Sequence, residues 1–172
     1  MRALEFKRVL FVVHRNLIVK QALKTLERVF AGTKKMGIYS GTNKDSVLDC
    51  DFIFTTNMTL KNDENLSKFE RDYFDAIVLD EAHHSSAGTY QKILEYFTPK
   101  FVLGMTATPD KREGSTELNV YEIYNYNIAY EIRLQQAMEE DLLCPFHYFG
   151  ITYLEIEGQE IDDDSNLRNF NF

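Results

Sequence analysis

The sequence holds only two cysteines, Cys50 and Cys144, in 172 residues. Two thiols make neither a disulfide framework nor a zinc-ligand pattern, so the expectation is a pair of reduced, buried side chains. No apolar run approaches the ~20 residues that a membrane helix needs. The opening residues, Met1 to Arg8, show no apolar core ahead of a small-residue cleavage site. Both absences point to a soluble, cytoplasmic protein with no membrane partner. There is no internal repeat and no low-complexity segment. No G-x-x-x-x-G-K-[ST] loop, nor a shorter G-x-G-K-[ST], occurs anywhere in the chain. A glycine-rich phosphate cradle of that kind is therefore not encoded in these residues. H-E-x-x-H is absent too, and the adjacent His83 and His84 point different ways, which argues against zinc.

Basic charge is also scarce. Nineteen Lys and Arg face 27 Asp and Glu, a net charge of −8. The balance is uneven: +5 over residues 1–31, −3 over 32–109 and −10 over 110–172. A free-standing nucleic-acid binder carries a clear basic patch. Here the only one is modest and N-terminal, so any nucleic-acid contact is expected to be local and salt-sensitive.

Apolar residues make up 44% of the chain and aromatics 13%, enough for one domain with a real core. Short apolar runs at 8–14, 36–39, 51–56, 77–80 and 101–105 read as buried strands. Between them, Ile18, Ala22, Leu26 and Phe30 recur at helical spacing with Lys20, Lys24 and Arg28 on the outer face. Asn16 is the expected N-cap of that helix. Further helices are expected over 61–73, 89–97 and 133–141. Strands alternating with helices predict an α/β class with a mainly parallel sheet. The stretch from Asp162 to Phe172 has no regular pattern and reads as frayed.

The chemistry-bearing stretch is Phe74 to His84. Ile77, Val78 and Leu79 form a strand that ends in Asp80 and Glu81, followed by Ala82 and His83. Carboxylates at the carboxyl end of a parallel strand stand at the rim where open α/β sheets bind ligands. About twenty residues later, Leu103 to Pro109 places Thr106-Ala-Thr108 after another buried strand.

Asp80-Glu-Ala-His83 followed by Thr106-Ala-Thr108 resembles motifs II and III of the superfamily 2 helicases. His14-Arg15 resembles motif Ia, and Thr55-Thr56 to Thr59-Leu60 the hydroxyl-rich motif that follows it. Asn127 to Arg133 and Pro145 to Ile151 narrow the likeness to helicases related to the restriction-enzyme Res subunit. The resemblance covers residues 8–151. It implies a RecA-like fold that lacks the P-loop strand. Residues 1–130 would be a partial first RecA-like domain, and 131–172 an interdomain connection with the truncated start of a second.

The resemblance also implies ATP and Mg²⁺ as cofactors of the intact parent. Asp80 would hold the Mg²⁺ hydration shell, and Glu81 would orient or deprotonate the attacking water. His83 would act with them, and Thr106 and Thr108 would couple the nucleotide site to nucleic acid. Arg15, Gly41, Thr56 and Thr59 would contact a nucleic-acid backbone. The partner would be duplex or single-stranded DNA, with a nuclease partner or fused domain possible. The family's P-loop and arginine fingers find no match here, so the chain alone is expected to bind ATP poorly and hydrolyse it negligibly. The absent strand would leave an apolar edge that favours an artefactual dimer. The competing reading is a non-catalytic module that binds nucleic acid or protein. Tyr121 to Tyr130 reads as aromatic packing rather than a base-stacking platform.

Overall fold

The computed structural model describes residues 6–40, 47–84, 88–109 and 120–144, and the backbone of 155–156 and 159–160. The chain divides into two units, Met1–Ile128 and Ala129–Phe172.

The first unit is built on five parallel strands: β1 (Val9–Val13), β2 (Met36–Tyr39), β3 (Phe52–Thr56), β4 (Ala76–Asp80) and β5 (Phe101–Met105). They lie in the order β2-β3-β1-β4-β5. The predicted strands are all present, but the two at the sheet's edges are not the buried strands expected: β2 is half-buried over most of its length, and no residue of β5 is buried, because each has a neighbour on one side only. β1, β3 and β4 are buried on both sides because the sheet is covered on both faces. Helix α1 (Asn16–Phe30) covers one face. There Val9, Val13, Phe52, Phe54 and Val78 pack with Val19, Ala22, Leu26 and Phe30. Phe30 meets Phe52 edge-on, with centroids 5.0 Å apart. Leu10, Val12, Ile53, Ile77 and Leu79 point to the other face. It is covered by α2 (Asn57–Lys61), α3 (Asp63–Leu66) and α4 (Gly88–Tyr96). Leu60, Leu66, Tyr90 and Ile93 come from those helices. Period-2 alternation along each strand thus sorts the core into two layers.

Three expectations change in detail. Arg15, not Asn16, occupies the N-cap of α1, and it makes no side-chain cap bond. Its extended backbone (φ −131°, ψ 139°) follows β1 directly, so the helix begins one residue earlier than a cap at Asn16 would give. The helix expected over 61–73 shrinks to α3, Asp63–Leu66, with no helix over 67–73, and α2 ends at Lys61 because Asn62 separates the two. Asn62 has an extended backbone, and its side chain accepts from the Glu64 amide to cap α3. Of the two cysteines only Cys50 is buried, and Cys144 is exposed. Cys50 owes its burial to Gly37. A Cβ on Gly37 would stand 2.7 Å from Val47 Cγ1 and 2.9 Å from Cys50 Sγ, so β2 approaches these side chains as only glycine allows.

A short helix, α5 (Val120–Ile123), completes the described part of the first unit. In the second unit, α6 (Leu134–Glu139) falls inside the helix expected there. A two-stranded antiparallel pair, β6 (Glu155–Ile156) and β7 (Gln159–Glu160), follows. The stretch from Asp162 to Phe172, expected to fray, and Pro145 to Ile151 lie outside the described residues. No helix among the described residues is long and apolar enough to cross a membrane.

Candidate functional site

Adjacent β1 and β4 send the chain in opposite directions. β1 leads through α1 to β2, and β4 leads through α4, on the other face, to β5. The carboxyl ends of such a strand pair open a crevice suited to ligands. Arg15 follows β1 there and is exposed, while Asp80 ends β4.

After Asp80 the backbone turns sharply. Glu81 adopts φ 53°, in the left-handed region that a residue with a Cβ seldom enters. A single 3-10 turn, Ala82–His84, follows. Ala82, only 1% exposed, anchors it in the core. The turn leaves the side chains of Glu81 and His83 about one-third exposed (35% and 30%). His83 Nδ1 then lies 2.9 Å from Thr106 Oγ1 and 3.4 Å from Thr108 Oγ1. It also lies 3.4 Å from Glu81 Oε2. The Thr108 amide donates to Thr106 Oγ1 at 3.1 Å, which tightens the loop beyond β5. β4 and β5 pair in parallel with Asp80 opposite Met105, so both turns leave the sheet at one level. That register is why residues 23 positions apart in sequence meet.

Two tyrosines stand behind this turn. Tyr90 of α4 is 1% exposed, and its hydroxyl donates to the Asp80 carbonyl at 3.4 Å. Burial pushes its phenol up to about 12, and the Asp80 and Glu81 carboxylates add to the effect. Tyr124 covers Gly104 of β5. A Cβ on Gly104 would lie 2.5 to 2.8 Å from that ring. The sequence did not single out Tyr90, and it placed Tyr124 only within the stretch Tyr121 to Tyr130 expected to pack as aromatics, which Tyr124 does. Tyr90 was nonetheless legible as the inward residue three before Ile93. Tyr124 met Gly104 only through the fold.

The β3 end carries a second group. Thr56 caps α2 by accepting from the Thr59 amide at 3.2 Å, and the two hydroxyls lie 2.9 Å apart. Asn65 Nδ2 donates to the Thr59 carbonyl at 2.7 Å. The Thr56 side chain is buried and engaged in this cap, whereas neighbouring Met58 is 62% exposed. Gly41 lies outside the described residues. The structure thus brings Asp80, Glu81, His83, Thr106 and Thr108 into one cluster. It places Arg15 and the Thr56–Thr59 pair at the carboxyl ends of neighbouring strands.

Among the described residues no three His, Cys, Asp or Glu side chains converge to cage a metal. Asp80 and Glu81 are hard oxygen donors at a strand end. They fit Mg²⁺, which keeps several waters and takes only one or two carboxylates. Asp80 and Glu81 are the residues that would hold it.

Residues 1–111 match the family model described as type III restriction enzyme, res subunit. Over 170 residues the chain is 29% identical to the putative ATP-dependent helicase IRC3 of Saccharomyces cerevisiae, covering 94% of this chain and 23% of that protein. Over 148 residues it is 30% identical to a type I restriction enzyme EcoAI endonuclease subunit of Escherichia coli, covering 81% and 17%. Among solved structures, the Pyrococcus furiosus Hef helicase domain superposes with a TM-score of 0.53 at 18% identity, over 65% of this chain and 26% of that one. The Sulfolobus solfataricus SWI2/SNF2 ATPase core, solved in complex with dsDNA, gives 0.52 at 23%, over 63% and 23%. The chain therefore spans about a fifth of the relatives it matches. Its fold is RecA-like, as expected. The chain belongs to the type III restriction enzyme res-subunit family, within the superfamily 2 helicases.

Proposed function

We propose that the intact protein carrying this fold is an ATP-dependent DNA helicase or translocase, and that this chain supplies part of its ATP- and nucleic-acid-binding domain. The observation that carries the reading is the His83 junction, where one ring nitrogen links the Asp80–Glu81 turn to both hydroxyls of the loop after β5. A change at the carboxylates can reach that loop through a single side chain.

In this reading bound Mg²⁺ would neutralise charge on the phosphates of ATP. Asp80, with Glu81, would hold the ion through its waters. Glu81 positions the attacking water and takes its proton. His83, Thr106 and Thr108 relay the state of the site towards the nucleic acid. Arg15 contacts a backbone phosphate at the β1 end, and Thr59 and the capped turn at Thr56 offer hydroxyl and main-chain groups beside it. Gly41 belongs to the same proposed surface. The dsDNA bound to one structural neighbour supports DNA as the partner. A restriction subunit among the relatives supports a nuclease partner or fused domain. In this reading the intact protein works in the cytoplasm. The second unit, in this reading, is the connection towards a further RecA-like domain.

The sequence encodes no P-loop pattern, so the 172 residues alone bind ATP poorly and turn it over negligibly. That same absence favours a second reading, a non-catalytic module that binds nucleic acid or protein without ATP. The test is Glu81→Gln in the full-length protein, assayed for DNA-stimulated ATPase and for nucleotide binding. Turnover falls by about 10³ or more while binding persists, if Glu81 handles the attacking water. Unchanged turnover removes Glu81 from the mechanism. DNA binding indifferent to both ATP and this substitution supports the second reading.

A further inference from the structure

The left-handed backbone at Glu81 is unfavourable for any residue with a Cβ, so neighbouring groups must hold it. Ala82, 1% exposed, anchors the turn in the core. Tyr90 belongs to the buried apolar layer that also holds Leu79, Ile93 and Phe97. A phenylalanine ring would fill that space as well, so packing alone does not explain the hydroxyl. A buried phenol needs a hydrogen-bond partner, and this one is the main-chain carbonyl of Asp80. That carbonyl belongs to the peptide whose orientation sets φ of Glu81. Tyr124, packed over Gly104, closes the same layer beside β5.

We infer that Tyr90 is a positioning residue for the Asp80–Glu81 turn: its buried hydroxyl, donating to the Asp80 carbonyl, restrains the peptide that holds Glu81 left-handed. Tyr90 touches no reacting atom. It acts through the backbone on the direction in which the Glu81 carboxylate leaves the sheet. The backbone role stands on the geometry alone. Its catalytic meaning rests on the reading of Glu81 given above.

Tyr90→Phe removes only the hydroxyl and keeps the ring. In the 172-residue chain, amide hydrogen exchange at Glu81 and Ala82 should quicken about fivefold, the worth of one neutral hydrogen bond, with the melting temperature lowered by only about 2–4 °C. In a Glu81→Gly background the same substitution should have almost no effect on exchange, because glycine needs no holding. Unchanged exchange at these two amides overturns the proposal. So does an increase spread evenly along β4 and α4, or an equal effect in the glycine background.

In the full-length protein, Tyr90→Phe should lower kcat about fivefold with KM for ATP unchanged. Glu81→Gln serves as the control. If that variant loses turnover and Tyr90→Phe keeps full kcat, the positioning role in catalysis is wrong. If Glu81→Gln keeps turnover, the functional reading fails and takes the catalytic meaning of Tyr90 with it. The exchange result then decides the backbone role alone.

Discussion

Ala31 and Glu81 both carry a Cβ at positive φ, 47° and 53°, but they differ in what they serve. Ala31 ends α1: its amide donates to the Glu27 carbonyl at 2.9 Å in a left-handed C-cap that glycine commonly fills. No proposed chemistry depends on its methyl group. Ala31→Gly should therefore stabilise the fold by about 0.5–1 kcal/mol, read as a higher urea midpoint at unchanged m-value. A lower midpoint would show that unfolded-chain entropy outweighs the relief. At Glu81 the strain accompanies the carboxylate that the proposed mechanism needs. Glu81→Gly should be more stable than Glu81→Ala by about 1 kcal/mol, yet lack the proposed base. Thermal or urea melts of the two variants give that comparison directly.

At the scale of elements, the sheet is stapled at the end opposite the site. Asp75, just before β4, accepts from the Lys7 and Arg8 amides at 3.0 Å each and from Lys100 Nζ at 2.7 Å. One carboxylate thereby ties the entries of β1, β4 and β5. The Lys100 bond first, and the Arg8 amide next, lower its pKa from 3.8 to about 2. Because folding depresses this pKa, the stabilisation is complete above the unfolded value. It fades as pH falls from about 4 through 2. Asp75→Asn should cost about 1–2 kcal/mol at pH 7, and the gap from the parent should close across that window. A gap that stays constant down to pH 2 would mean that charge plays no part. Asp51 works similarly beside β3, where its Oδ2 accepts from the Lys35 amide at 2.8 Å.

β1, β3 and β4 were legible before their partners were known, because unbroken β-branched and aromatic runs suit strands buried on both faces, whereas nothing in the runs at β2 and β5 marked them as the less buried edges. The helix over 61–73 was not legible. Its boundaries depend on Thr56 and Asn62 side chains bonding to nearby amides, which competes with simple periodicity. In the site, Asp80, Glu81, His83, Thr106 and Thr108 were all named from sequence. The single nitrogen that joins three of those side chains was not, since it follows from the register of β4 against β5.

At the scale of the whole first unit, β5 is an edge strand, and Phe101 and Met105 at its ends are 37% and 38% exposed. Phe6 covers part of it by stacking on Phe101 at 5.7 Å. An edge with exposed apolar ends and unpaired main-chain groups is prone to pair with another chain. The 172-residue chain should thus self-associate with rising concentration in sedimentation experiments. Met105→Lys, which puts a charge on that edge, should shift it towards monomer. Equal association of both proteins would place the contact elsewhere.

By itself the sequence determined the class of the fold, the order of its strands along the chain and which acidic, histidine and threonine side chains make up the candidate site. Those depend on local patterning and on the chemistry each residue carries. Only the tertiary structure decided which strand became an edge, which face α1 covered and that Tyr90 stands under the Asp80 carbonyl. It alone put Glu81 in a left-handed turn. Each of these is a relation between segments distant in sequence, fixed by parallel pairing and side-chain packing that no single stretch encodes.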